Sequence, residues 1–102
     1  MSDKRMTYIR EQLSQEELLC QLAEEAAELA QAALKLRRVY DGTNPTPTKR
    51  SVAYDNLKEE IADVALLLDV LDFDISVHEM NRTMEAKLDR WCSRLKAAAE
   101  VE

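Results

Sequence analysis

The chain has 102 residues, enough for one domain over 1–102 and no second, and a compact chain of that length has a radius of gyration near about 13 Å. Apolar residues make up 46% and aromatic residues 5%, with one Gly and two Pro, so the punctuation that strands and tight turns require is almost missing and an all-α fold is expected. A net charge of −6 with dispersed Lys and Arg argues against a nucleic-acid partner, whereas a single nucleotide carrying a divalent cation is compatible with it.

In chain order, Met1–Arg10 mixes charges with polar residues and lacks the apolar region of a signal peptide, and no later stretch approaches a membrane-spanning length. A soluble, cytoplasmic protein without a membrane partner is expected, with Cys20 and Cys92 as reduced thiols, too few and too far apart for a zinc motif or a disulfide framework. A short helix over Thr7–Leu13 is marginal alone and reads as a lid or arm. Ser14 with Glu17 forms a capping box that opens a second helix, periodic to Val39, with Arg37 and Arg38 suited to its C-terminal dipole and Gly42 as its stop. The segment Asp41–Arg50, with Pro45 and Pro47, is a loop, after which Ser51 caps a third helix ending near Asp72–Asp74. Ser76 with Glu79 is another capping box, opening a fourth helix through about Ala98.

The second helix, about 37 Å long at 1.5 Å per residue, exceeds what a compact monomer of this size covers. It is also apolar on more than one side, through Cys20, Ala23, Ala27, Ala30 and Leu34, so a homo-oligomer forming a helical bundle across chains is expected.

Two acidic clusters interrupt these helices: Glu24-Glu25-Ala26-Ala27-Glu28 and Glu59-Glu60-Ile61-Ala62-Asp63. Residues three apart are neighbours on a helix, so Glu25 with Glu28 and Glu60 with Asp63 can converge on one cation or cation pair, and carboxylate oxygens suit Mg²⁺ or Mn²⁺. Leu57, Ile61, Val64, Leu68 and Leu71 have the spacing of a packed seam, and Glu60 and Asp63 lie beside it in line with Leu67 and Val70. Likewise Glu25 and Glu28 lie at the margin of the stripe Leu18, Leu22, Ala26, Leu29 and Leu36. Taken singly, either cluster reads as a solvated Glu-rich surface; together, beside two apolar stripes, four carboxylates would repel one another without a cation.

The pattern E-E-x-x-E on one helix and E-x-x-D on the next, here Glu24, Glu25, Glu28, Glu60 and Asp63, resembles the MazG-like all-α nucleoside triphosphate pyrophosphohydrolases from about Leu13 to Leu95. The interval from Glu28 to Glu60 is long for that family because of the Pro-containing loop. The resemblance implies a four-helix MazG fold, as a homodimer or dimer of dimers. It implies Mg²⁺-dependent hydrolysis of (deoxy)nucleoside triphosphates to monophosphate and pyrophosphate, with removal of non-canonical or excess nucleotides as the purpose. Glu25, Glu28, Glu60 and Asp63 are the expected metal ligands, and Glu24 or Asp63 a proton acceptor; Glu24 serves equally to bind a second ion, orient a water or face solvent.

With a single glycine there is no Gly-rich phosphate cradle, so side chains must grip phosphates. Lys87, Arg90 and Arg94 share a face of the fourth helix and are candidates, against a plain basic strip pairing with Glu85 or Asp89. Trp91 falls on the stripe of Met80, Met84, Leu88 and Leu95, which favours core or interface over base stacking; Tyr8, Tyr40 and Tyr54 stand near helix ends, where a ring could close over a base or simply mark a boundary. Tyr8 and Trp91 are the base-binding candidates. His78, the one histidine, suits a local polar role in the first turn of its helix. A di-iron carboxylate bundle would need Glu-x-x-His pairs, and there are none. The competing reading from another class is a non-catalytic helical module that binds nucleotide or protein.

Overall fold

The computed structural model describes residues 3–42 and 47–101, so the part of the expected loop at 43–46, Pro45 included, lies outside the described residues. Those described form four helices and no strand: α1 (Lys4–Gln12), α2 (Gln15–Asp41), α3 (Arg50–Leu71) and α4 (Val77–Glu100). None is long and apolar enough to cross a membrane.

Local chemistry sets most of the boundaries. The Ser14 hydroxyl accepts from the Glu17 N–H at 3.1 Å while Glu17 Oε1 accepts from the Ser14 N–H at 3.4 Å, both arms of the expected capping box. Gly42 closes α2 in the left-handed region at φ 73°, its N–H donating to the Arg38 carbonyl. Asp72 closes α3 the same way at φ 51°, a conformation that Asp tolerates better than most residues. At Ser76 the hydroxyl accepts from the Glu79 N–H at 3.0 Å, the serine arm of the second expected box.

Two starts differ from the sequence reading. Asp3, not the region of Thr7, begins α1, its carboxylate accepting from the Arg5 N–H at 2.8 Å and pairing with the Arg5 guanidinium. α3 begins at Arg50 with Lys49 at its cap in extended conformation and no side-chain cap, so Ser51 lies inside the first turn rather than before it.

α2 packs along α3, and α1 packs on α3 near its C-terminal end. Leu18, Leu67 and Val70 form a small buried cluster against which Met6, Ile9, Leu22 and Leu71 are packed. Arg10 fastens α1 there: its Nε donates to the Val70 carbonyl at 2.7 Å and its Nη2 to the Asp69 carbonyl at 3.1 Å, satisfying acceptors that the end of α3 leaves open. At the other end Leu36 and Ala53 are buried, and Arg50 stacks over the Tyr40 ring at 4.9 Å.

The buried line of α3 is not the seam read from spacing. Ala53, Leu67 and Val70 are buried, whereas Ile61 is 50% and Leu68 45% exposed. α3 is apolar on two sides, and α2 takes only one of them. At about 100° per residue, Tyr54, Ile61 and Leu68 on α3 and Leu19, Ala26 and Ala33 on α2 fall on one side of the antiparallel pair; Glu28, Lys35, Asn56 and Asp63 fall on the other. The α2–α3 pair thus has an apolar side and a polar side. The turn after α3 leaves by the apolar side, where Leu68, Phe73, Ile75 and Met80 line one cleft.

α4 packs along neither α2 nor α3 and buries no residue, its stripe of Met80, Met84, Leu88, Trp91 and Leu95 being exposed throughout. The radius of gyration is accordingly 18.2 Å, against about 13 Å for a compact chain of this length.

Candidate metal centre

Glu25 and Glu60 descend directly from the helix pairing: they lie on the lines of α2 and α3 that face each other, between Leu18 and Leu36 on one helix and between Ala53 and Leu67 on the other. Asp63, one turn beyond Glu60, stands at the polar edge of the same interface. The three offer carboxylate oxygens that all lie within 4.8 Å of one another, with Glu25 and Glu60 half-buried and Asp63 exposed. Among the described residues, Glu25 Oε2 and Glu60 Oε2 are buried without a hydrogen-bond partner, while Glu25 Oε1 accepts from Gln21 Nε2 at 2.9 Å.

Electrostatics registers the crowding. Glu25 is pushed above the usual carboxylate value of 4.5, first by loss of solvent on burial, with the Gln21 hydrogen bond opposing and the Glu28 carboxyl and Asp63 charge adding to it. Glu60 is pushed the same way by burial, then by the charges of Asp63 and Glu25, while contact with Glu28 partly offsets the shift. A raised pKa means that the folded chain binds these protons more tightly than the unfolded one, so stability falls as pH rises from 4.5 through the raised values. Asp3, held down to about 2 by Arg5, acts only below 3.8 and leaves that window clear. In chelator, the chain is therefore expected to melt at a higher temperature at the acid end of this window than just above it. The slope should vanish in Glu25→Gln/Glu60→Gln; a slope of the same size in the double variant contradicts the assignment.

The donor set fits a hard divalent cation: three carboxylates from two helices, with Glu25 Oε2 and Glu60 Oε2 lacking a hydrogen-bond partner among the described residues and no Cys or His in the group. Glu28 is exposed and outside the group of three but contacts both Glu25 and Glu60 electrostatically. Glu24 is exposed and outside the cluster.

Two clefts open beside the carboxylates on the polar side. The larger, ≈ 630 Å³, is lined by Glu28, Glu59 and Glu60 at one end and by Lys35 and Arg38 towards the end of α2. The smaller, ≈ 240 Å³, is lined by Gln21, Glu25, Asp63, Leu66 and Leu67. Lys87, Arg90 and Arg94 are on the unpacked α4 and the single chain does not bring them to the carboxylates. Trp91 is 65% and Tyr8 62% exposed, and neither lines these two clefts. Tyr40 is engaged by Arg50 and Tyr54 by Lys58.

Sequence reasoning missed Lys35 and Arg38, although their positions seven and ten residues after Glu28 place them on its side of α2. What the fold and cluster define is a class of site, a carboxylate cage between two antiparallel helices beside an open cleft. Comparison of the chain with protein-family models, with curated proteins and with solved structures found no match.

Proposed function

We propose that the chain is a Mg²⁺-dependent nucleoside triphosphate pyrophosphohydrolase of the MazG-like kind, converting (deoxy)nucleoside triphosphates to monophosphate and pyrophosphate. The observation that carries the reading is the pair of buried, unpartnered oxygens on Glu25 and Glu60 within one cluster across two helices. Unpaired buried acceptors are costly, and two negative groups side by side raise the cost, so a bound cation would stabilise the arrangement.

Glu25, Glu60 and Asp63 would hold Mg²⁺ or Mn²⁺, with Glu28 next to them. Such an ion supplies acidification of a water and neutralisation of phosphate charge. The chain's own groups do the rest. Glu25 and Glu60, fixed by the helix interface, orient the site and exclude water from its floor. Asp63, the exposed member, would accept a proton from an attacking water, and Glu24, further round the helix, is the weaker candidate for that role. The adjoining cleft of ≈ 630 Å³ has the size of a small-molecule site.

In this reading the protein works as a homo-oligomer. The chain exposes 8567 Å², whereas a compact monomer of 11.7 kDa exposes about 5,900 Å². The excess, summed over two chains, is roughly the area of a large obligate interface. The apolar side of α2–α3 and the α4 stripe are the surfaces to cover. Lys87, Arg90 and Arg94 would then reach phosphates from the α4 of a second copy.

Pyrophosphate release from a panel of canonical and modified nucleoside triphosphates, with Mg²⁺ and with chelator, tests the activity. Release from at least one member, abolished by chelator, is expected. If no member yields pyrophosphate while metal is bound, the chain is a metal-dependent binding module and the hydrolase assignment fails.

A further inference from the structure

The larger cleft has a second pole that the metal reading does not use. Lys35 and Arg38 line it together with Glu28, Glu59 and Glu60, both half-buried, and neither side chain makes a hydrogen bond or ion pair with any described residue. Their neighbour Arg37, which points away from the cleft, is paired with Asp41 at 3.5 Å, and on α3 Lys58 pairs with Asp55 at 3.2 Å. Lys35 and Arg38 thus stand beside three carboxylates of the cleft without an ion pair among the described residues. From the geometry we infer that Lys35 and Arg38 form an anion subsite for the phosphate groups beyond the carboxylate cluster, an inference that rests on the phosphohydrolase reading.

The axial spacing supports this assignment. Along α2, Lys35 lies about 10 Å and Arg38 about 15 Å beyond Glu28. Helical side chains lean towards the N-terminus, so both long side chains reach back towards the carboxylates and narrow the gap to the length of a polyphosphate chain. Between the poles stands Asn56, a neutral hydrogen-bonding group rather than another charge. The cleft on the other side of the cluster offers Leu66 and Leu67, surfaces suited to a base and not to phosphate. A triphosphate seated this way has its reacting phosphorus at the carboxylate end and its outer phosphates, the leaving pyrophosphate, against Lys35 and Arg38. Negative charge accumulating on that pyrophosphate as the bond to the α-phosphorus breaks is met by these two cations.

The test is calorimetric titration of inorganic triphosphate into the full chain with Mg²⁺ present, using wild type, Lys35→Gln/Arg38→Gln, and Lys4→Gln/Lys58→Gln as a control with the same change in net charge. Gln is a good helix former, and circular dichroism checks that all three fold alike. Triphosphate binding is expected to weaken about tenfold or more in the cleft variant and by less than about twofold in the control. The Mg²⁺-induced rise in melting temperature should persist in the cleft variant, since its carboxylates are intact. Unchanged triphosphate affinity in the cleft variant, equal weakening in the control, or no triphosphate binding by wild type each overturns the subsite. A wild type that binds triphosphate through Lys35 and Arg38 yet releases no pyrophosphate from any nucleotide supports the subsite and sinks the hydrolase reading alone. Conversely, active wild type with an unaltered cleft variant removes only the subsite.

Discussion

Saturating Mg²⁺ is expected to raise the melting temperature by about 10 °C or more, and Glu60→Gln to abolish that rise. An ion that binds the folded chain and not the unfolded one stabilises it by about 2.7 kcal/mol at one hundred times its dissociation constant, and each kcal/mol moves the melting point of a domain this size by about 4–8 °C. Glu60 is the informative position because its carboxyl is half-buried, its Oε2 has no partner, and it lies within reach of both Glu25 and Asp63. The glutamine keeps the shape and removes one of three crowded negative charges. Without metal, the variant should therefore melt at or above the wild type, which separates loss of an ion from loss of the fold. Scanning fluorimetry at fixed protein concentration, in Mg²⁺ and in chelator, gives both numbers. A Mg²⁺ shift of the same size in Glu60→Gln would place the ion elsewhere.

Ile61→Asp is expected to weaken self-association by on the order of a thousandfold, leaving single chains or unfolded protein at micromolar concentration. Ile61 lies half exposed at the centre of the apolar side of α2–α3, next in sequence to Glu60 but turned about 100° away from the line that faces α2. Burying one isoleucine contributes about 1.5–3 kcal/mol, and a two-fold interface buries the same residue twice. The aspartate also brings two charges into an apolar contact. Sedimentation velocity reads the mass directly. Asn56→Asp, which adds the same charge on the polar side, should keep the wild-type mass. Retention of the oligomer by Ile61→Asp means that the apolar side is not the interface, and a wild type sedimenting as one chain removes the oligomer altogether.

How much of this was legible beforehand follows from the range of the interactions. Ser14, Gly42 and Ser76 act through hydrogen bonds to residues three or four positions away, so the ends of α2 and the start of α4 could be read directly. Asp3 also acts locally, but α1 has too weak an apolar pattern to point to it. Lys49 stands at a cap without a side-chain hydrogen bond, so a nearby Ser51 was the more attractive reading and was wrong by two residues. The inward face of α3 needed tertiary information: with Ile61 and Leu68 on one flank and Ala53, Leu67 and Val70 on another, spacing alone could not decide which flank meets α2. The carboxylates were visible as i, i+3 pairs; that Glu25 and Glu60 form the buried part and Asp63 the exposed edge follows from the helix crossing. Lys35 and Arg38 escaped notice because basic residues near a helix C-terminus already have a reason to be there.

Whether those carboxylates take up a divalent ion is answered most directly by titration of Mn²⁺ into metal-free protein, with unbound Mn²⁺ followed by electron paramagnetic resonance. The wild type should bind at least one ion per chain saturably, and Glu60→Gln and Asp63→Asn should each abolish or strongly weaken that uptake. Wild-type protein that leaves the Mn²⁺ signal undiminished, or variants that quench it as fully as the wild type, would contradict the central claim.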